Sequence, residues 1–200
     1  MRSQFVKIAA GCAFALSCAA GTASAQAPAA PAASVVVDNP TYTTVPLEIV
    51  VNKPIAEVWK RIGAYCGIAE WAQIPGGCTM LSGKEGDVGA VRSVANEIMV
   101  AKTQYSYTYT QPVRAGRPYD MYHGTLEARA ESPTTTKLYY TLMYDNSMLA
   151  DDAAREKNRV GRVNTFTRFL QNMKTLAEGG TLPPPPARGA PPAAAPPPGR

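Results

Sequence analysis

The sequence predicts an α+β fold: an antiparallel sheet of six or seven strands, two short helices after the first strand, and one long helix near the C-terminal end. Three patterns carry that prediction. Leu47–Trp71 switches from strand period to helix period at a proline, Tyr105–Thr110 alternates rings with hydroxyls, and Asp151–Glu178 repeats apolar residues at helical spacing.

In the first of these, Leu47, Ile49 and Val51 alternate with Glu48, Val50 and Asn52, giving a strand with one apolar face. Pro54 is suited to a helix start, where its missing N–H is no loss. Ile55, Val58, Trp59 and Ile62 then fall at i, i+3, i+4 and i+7, one face of a helix, and Glu57 complements its positive end. Gly63 and Gly67 let the chain break and restart into a second short helix that ends at Trp71.

A meander follows from Cys78. Thr79–Gly83 is a short strand, Gly83–Asp87 a turn, and Val88–Ile98 the next strand. Ala101–Thr103 is expected to turn before a strand over Gln104–Gln111, where Tyr105, Tyr107 and Tyr109 share one face. Pro112–Pro118 reads as a loop, and Tyr119–Ala130 and Thr136–Asp145 as a hairpin around Ser132-Pro133-Thr134. The acids Asp151 and Asp152 open the final helix. Its stripe is Val160, Val163, Phe166, Leu170, Met173 and Ala177, widened by Phe169 and Leu176, and Gly179-Gly180 stops it. Arg155, Lys157, Arg159, Arg162 and Arg168 are expected on the other faces, in water.

The segment NKPIAEVWKRIG (Asn52–Gly63), then Ala69-Glu70-Trp71, then GDVGAVRSV (Gly86–Val94) resembles the SRPBCC superfamily, the START-like group that includes polyketide cyclase/dehydrase-like and plant hormone-receptor proteins. The resemblance spans about Pro46 to Glu178. It implies a helix-grip fold, in which a curved antiparallel sheet wraps the long C-terminal helix. It says little about activity, because the superfamily spans carriers, receptors and a few enzymes.

Four regions result: a signal peptide over residues 1–25, an Ala/Pro-rich linker and arm over 26–44, the helix-grip domain over 45–178, and a Pro/Ala-rich tail over 179–200. Arg2 and Lys7 precede the apolar run Ile8–Ala20, and Ala23-Ser24-Ala25 is a small-x-small cleavage site, so a periplasmic or secreted location is expected. No other run approaches the roughly 18 apolar residues of a membrane span. Loss of Arg2 and Lys7 lowers the formal charge from +5 to +3, too mild for a nucleic-acid partner. Cys12 and Cys18 leave with the signal. Cys66 and Cys78 remain, an even number in an oxidising compartment, and are expected to pair; two buried thiols are the alternative. The tail holds half of the chain's prolines and no aromatic, and is expected to stay extended and unpacked.

Catalytic patterns are scarce. One histidine, His123, rules out multi-histidine zinc or iron sites, and no CxxC, GxSxG or phosphate-cradling glycine loop occurs. Asp120 and His123, three apart on a strand, should face opposite ways. No cofactor and no metal site are implied. More informative are the phenols. Tyr107, Tyr109, Tyr122, Tyr140 and Tyr144 recur on faces expected to meet the long helix, where a dry core would prefer aliphatics because each buried hydroxyl needs a partner. Plain core packing is the competing explanation. Arg92 alternates in phase with Ala90 and Val94; the resemblance implies that it points inward, whereas the alternative puts Val91 inside. An inward guanidinium requires an acid, phenols or an anionic ligand head.

These residues suggest an exported protein holding a hydrophobic or amphipathic, lipid-like molecule in an internal cavity. Arg92, Tyr107, Tyr109, Tyr122, Tyr140, Tyr144 and Phe166 would form the site. A polyketide cyclase/dehydratase-like enzyme is the first alternative and would need an ionisable pair facing that cavity. A non-catalytic interaction module using the Pro-rich tail is the second, and would have a filled core.

Overall fold

The computed structural model describes residues 37 and 39–185. The expected signal peptide, most of the linker and residues 186–200 of the tail lie outside the described residues.

Seven strands form one antiparallel sheet: β1 Tyr42–Val51, β2 Met80–Ser82, β3 Val91–Arg92, β4 Glu97–Thr103, β5 Ser106–Thr110, β6 Asp120–Ser132 and β7 Thr135–Asp145. Their spatial order is β1-β7-β6-β5-β4-β3-β2. The N-terminal strand thus closes against the last one, and everything between them is meander. Helix α1 (Ile55–Ile62) and α2 (Ile68–Trp71), joined through a 3-10 turn at Tyr65–Gly67, cross from β1 to β2, and α3 (Asp152–Ala177) follows β7. This is the α+β helix-grip arrangement.

Val58 and Ile62 of α1 are buried with Trp71 of α2, as the apolar spacing requires. Asp151 caps α3 by accepting from the Ala154 N–H at 2.8 Å. Phe166, Leu170, Met173 and Leu176 bury the C-terminal half of α3 on the sheet, and Asn172 donates to the Trp71 carbonyl at 2.8 Å.

Three expectations need correction. Val88–Ile98 is not one strand: Ala95 and Asn96 adopt φ 51° and 55°, folding β3 back onto β4 in a tight turn. That turn moves the next one, so Ala101–Thr103 lies inside β4 and the chain reverses at Gln104 and Tyr105 instead. The first tail residues are also packed: Leu182 lies against the core, and the Gln73 side chain donates to the Pro183 carbonyl at 2.6 Å.

Cys66 and Cys78 form a disulfide across a separation of 12 residues, tying the 3-10 turn to the chain entering β2. Replacing both by serine should lower stability by about 3 kcal/mol, the chain-entropy value for a loop of this size. Urea unfolding of the double variant checks it; an unchanged midpoint would show that the bond constrains nothing.

Candidate functional site

The helix-facing side of the sheet is set by strand parity. Register places Tyr107 opposite Leu126 and Tyr109 opposite Gly124, while Leu126 and Gly124 face Tyr140 and Leu142 on the far side. All are buried, and Tyr107, Tyr109, Tyr122, Tyr140 and Tyr144 are each no more than 2% exposed. The rings touch in sequence: Tyr107 and Tyr109 have centroids 6.4 Å apart, Tyr109 and Tyr122 6.1 Å, and Tyr122 and Tyr144 stack at 6.2 Å. Tyr140 meets Phe166 of α3 edge-on at 4.8 Å. The structure therefore gathers all the expected site residues into one layer, and the rings occupy much of the interior between sheet and helix.

Gly124 makes that layer possible. A Cβ there would collide with the ring of Tyr109, which lies flat across it, and that ring's hydroxyl is 2.8 Å from the hydroxyl of Tyr140. Gly124→Val should cost about 1–3 kcal/mol through overpacking. Paired with Tyr109→Ala, the same substitution should lose most of that cost in a double-mutant cycle.

Arg92 points inward and is fully buried, so the surface alternative is excluded. Its charge is met within the protein, although Nη2 makes no hydrogen bond of good geometry among the described residues. Its Nε donates to Glu97 Oε2 at 2.6 Å, Nη2 lies 2.5 Å from the same oxygen, and Nη1 donates to the Tyr65 carbonyl. The guanidinium sits 4.1 Å over the Tyr65 ring and 4.8 Å over that of Tyr109. Glu97 was not singled out from the sequence. Its signal was the β3–β4 turn, which sets Glu97 directly opposite Arg92 in the ladder. Burial pushes the Glu97 carboxyl above the ordinary carboxylate range, against the pull of Arg92 and of Gln111, which donates at 2.8 Å. The polar line continues outward, as Gln111 accepts from the Tyr119 hydroxyl at 2.7 Å.

The hydroxyls of Tyr65, Tyr107 and Tyr144 are buried and make no hydrogen bond among the described residues. Burial raises all three phenols above their usual range. They are neutral near pH 7, suited to donate hydrogen bonds and unsuited to act as bases.

An internal cavity was expected, but the two ligand-sized spaces that border this layer are open to solvent. One, of about 480 Å³, opens between the end of α1 and the β4–β5 hairpin, with Trp59, Tyr65, Glu85, Lys102 and Tyr107 in its wall. The other, of about 590 Å³, runs along the N-terminal half of α3 beside Phe166. Here the expected stripe fails: Val160 is exposed, and Arg162, expected in water, turns inward. The Arg162 guanidinium lies 4.3, 5.1 and 4.2 Å from the ring centres of Tyr119, Tyr122 and Tyr144. A helix stripe read by hydrophobicity alone omits such a residue, because an arginine stem and plane pack on rings while the charge stays at the edge.

Asp120 and His123 also differ from expectation. A bulge with Met121 at φ 49° adds a residue to β6, so they stand opposite Asp145 and Met143, two positions of the same parity. The His123 ring bonds the Met121 carbonyl at 2.9 Å and does not join Asp120 in a relay.

No family model and no curated protein matches this sequence. Solved structures do. A protein from Thermobifida fusca is 21% identical with a TM-score of 0.56, over 68% of this chain and 95% of that one. A protein from Nitrosospira multiformis is 23% identical with a TM-score of 0.50, over 66% and 96%. The Zhui aromatase/cyclase from Streptomyces sp. R1128 is 18% identical with a TM-score of 0.51, over 70% and 100%. At these identities the likeness is one of fold.

Proposed function

We propose that this chain is an exported SRPBCC-type protein that binds a small hydrophobic or amphipathic molecule between its sheet and α3. The observation that carries the reading is the tyrosine layer. Two of its phenol hydroxyls, those of Tyr107 and Tyr144, make no hydrogen bond among the described residues, nor does that of neighbouring Tyr65; one groove reaches the layer at Tyr107 and the other passes Phe166 above it. A core serving stability alone gains nothing from buried, unpaired hydroxyls. In this reading Tyr107 and Phe166 meet the ligand from the two grooves, with Tyr109, Tyr122, Tyr140 and Tyr144 beneath them. Arg92 holds the layer in place through Glu97 and the rings of Tyr65 and Tyr109. Export is supported by the signal-like N-terminus and by the disulfide. No described helix is long and apolar enough to cross a membrane.

A cyclase-like enzyme is the second reading, favoured by the Arg92–Glu97 pair facing the interior and by the fold shared with an aromatase/cyclase. Glu97, raised by burial, would be its acid or base, with the neutral phenols polarising a carbonyl. Against it, Glu97 is 3% exposed and already bonded on both oxygens.

Displacement of a bound anilinonaphthalene-sulfonate by a panel of fatty acids, aromatic acids and polyphenols tests the binding reading. Saturable, one-to-one displacement is expected, weakened by Tyr107→Phe, which keeps the ring and removes the hydroxyl. Absence of binding across the panel by folded protein would overturn it.

A further inference from the structure

The groove along the N-terminal half of α3 differs from the rest of the helix surface in its charge. Each acid near this end is already engaged. Asp151 caps the Ala154 N–H, Asp152 pairs with Arg155 at 2.6 Å, and Glu156 pairs with Arg159 at 2.7 Å. Lys157 and Arg162, both in the groove wall, have no carboxylate within 4.0 Å among the described residues. The Arg162 Nε donates to Asn158 Oδ1 at 3.3 Å. Its guanidinium carbon lies over the rings of Tyr119, Tyr122 and Tyr144, and the residue lines the groove. Tyr144, fully buried beneath it, is one of the phenols whose hydroxyl makes no hydrogen bond of good geometry among the described residues, with the Arg162 charge beside it opposing the upward push of burial.

The floor of the groove is apolar, with Leu149 and Phe166 in its wall, and Gly161 leaves it open. A glycine inside a helix costs stability relative to alanine. At Gly161 nothing local requires one: a Cβ would meet no atom within 4 Å. Lys157, Gly161, Arg162 and Phe166 are spaced along one face of α3. The stripe that is filled by Phe166, Leu170 and Met173 further on is here left hollow, small and cationic.

We infer that this groove is a carboxylate-recognition site: an amphipathic ligand places its acid head between Arg162 and Lys157 and its apolar body against Leu149 and Phe166. This rests on the ligand-binding reading above and adds the class of ligand. A planar guanidinium held by stacked rings is preorganised for a bidentate carboxylate, so little side-chain freedom is lost on binding. The neighbouring ammonium adds attraction that salt will weaken. The polar end of the ligand is thus met at Arg162, whereas Arg92 is neutralised internally.

The test compares matched acids and alcohols, decanoate with decanol and naphthoate with naphthylmethanol, by calorimetric titration of the full chain. The acids should bind at least about tenfold more tightly, the range of a charge-assisted hydrogen bond. Arg162→Gln should abolish that preference while leaving the alcohols unchanged. Lys157→Gln should reduce it by a smaller factor, and serves if the arginine variant does not fold. Gly161→Leu should fill the groove and weaken acids and alcohols alike without lowering Tm. Equal binding of acid and alcohol by the wild type, or a preference that survives both charge substitutions, would overturn the acid-head assignment and leave the binding reading standing. No binding of any of the four would overturn both.

Discussion

Arg92→Met should destabilise the domain by about 3–5 kcal/mol near neutral pH, the cost of leaving one member of a buried ion pair alone. Methionine nearly matches the arginine stem in size, so the loss reports charge rather than a cavity. The stranded group is Glu97, 3% exposed and bonded otherwise only to Gln111. The pH dependence gives the effect a signature. Burial already holds the Glu97 carboxyl above its ordinary value, and removing the guanidinium raises it further. A carboxyl raised in the fold contributes stability that is fully present below its unfolded value and lost as pH rises through its folded value. The deficit of the variant should therefore be largest at neutral pH and shrink on acidification. Arg92→Met combined with Glu97→Leu should recover most of the loss. Denaturant unfolding from pH 4 to 8 measures all three proteins; a deficit independent of pH would show that Glu97 is not the group left behind.

Truncation after Thr165 should abolish folding. It removes Phe166, Phe169, Leu170, Met173 and Leu176, which close the sheet and pack on Tyr140 and Trp71. At about 1.5–3 kcal/mol per large buried side chain the loss is of order 10 kcal/mol, comparable to the whole stability of a domain this size. It also strips Trp71 of the Asn172 amide on its carbonyl. A chain ending at Pro185 keeps these contacts together with Leu182 and the Gln73–Pro183 bond, and should unfold at the full-length temperature. Circular dichroism melts of the two truncations check the pair. A cooperative transition in the shorter chain would contradict the role given to α3.

The elements that were legible in the sequence are those in which period and burial agree. The strand-to-helix switch at Pro54 and the tyrosine alternation of β5 appear in the structure because the periodic positions there face the core, Val51, Val58, Ile62, Tyr107 and Tyr109 fully and Leu47, Ile49, Ile55 and Trp59 in part. The β3–β4 region was not legible, because its turn is made by Ala95 and Asn96 without the glycine that usually marks such a conformation. Arg92 could be placed on a strand but not on a face; what decides it is Glu97, a cross-strand partner visible only once that turn is known. Arg162 was missed for the opposite reason. Its partners Tyr119, Tyr122 and Tyr144 come from β6, β7 and the loop before β6, and only tertiary packing brings them to one helix turn.

The claim on which the rest depends is that the tyrosine layer under α3 receives a ligand. Following the ring resonances of Tyr122, Tyr144 and Phe166 by NMR while decanoate is added tests it most directly. Saturable shifts at these three, with the outward-facing Tyr139 unmoved, are the predicted result. Shifts confined to Tyr139 and other outer positions, or none at all, would contradict it.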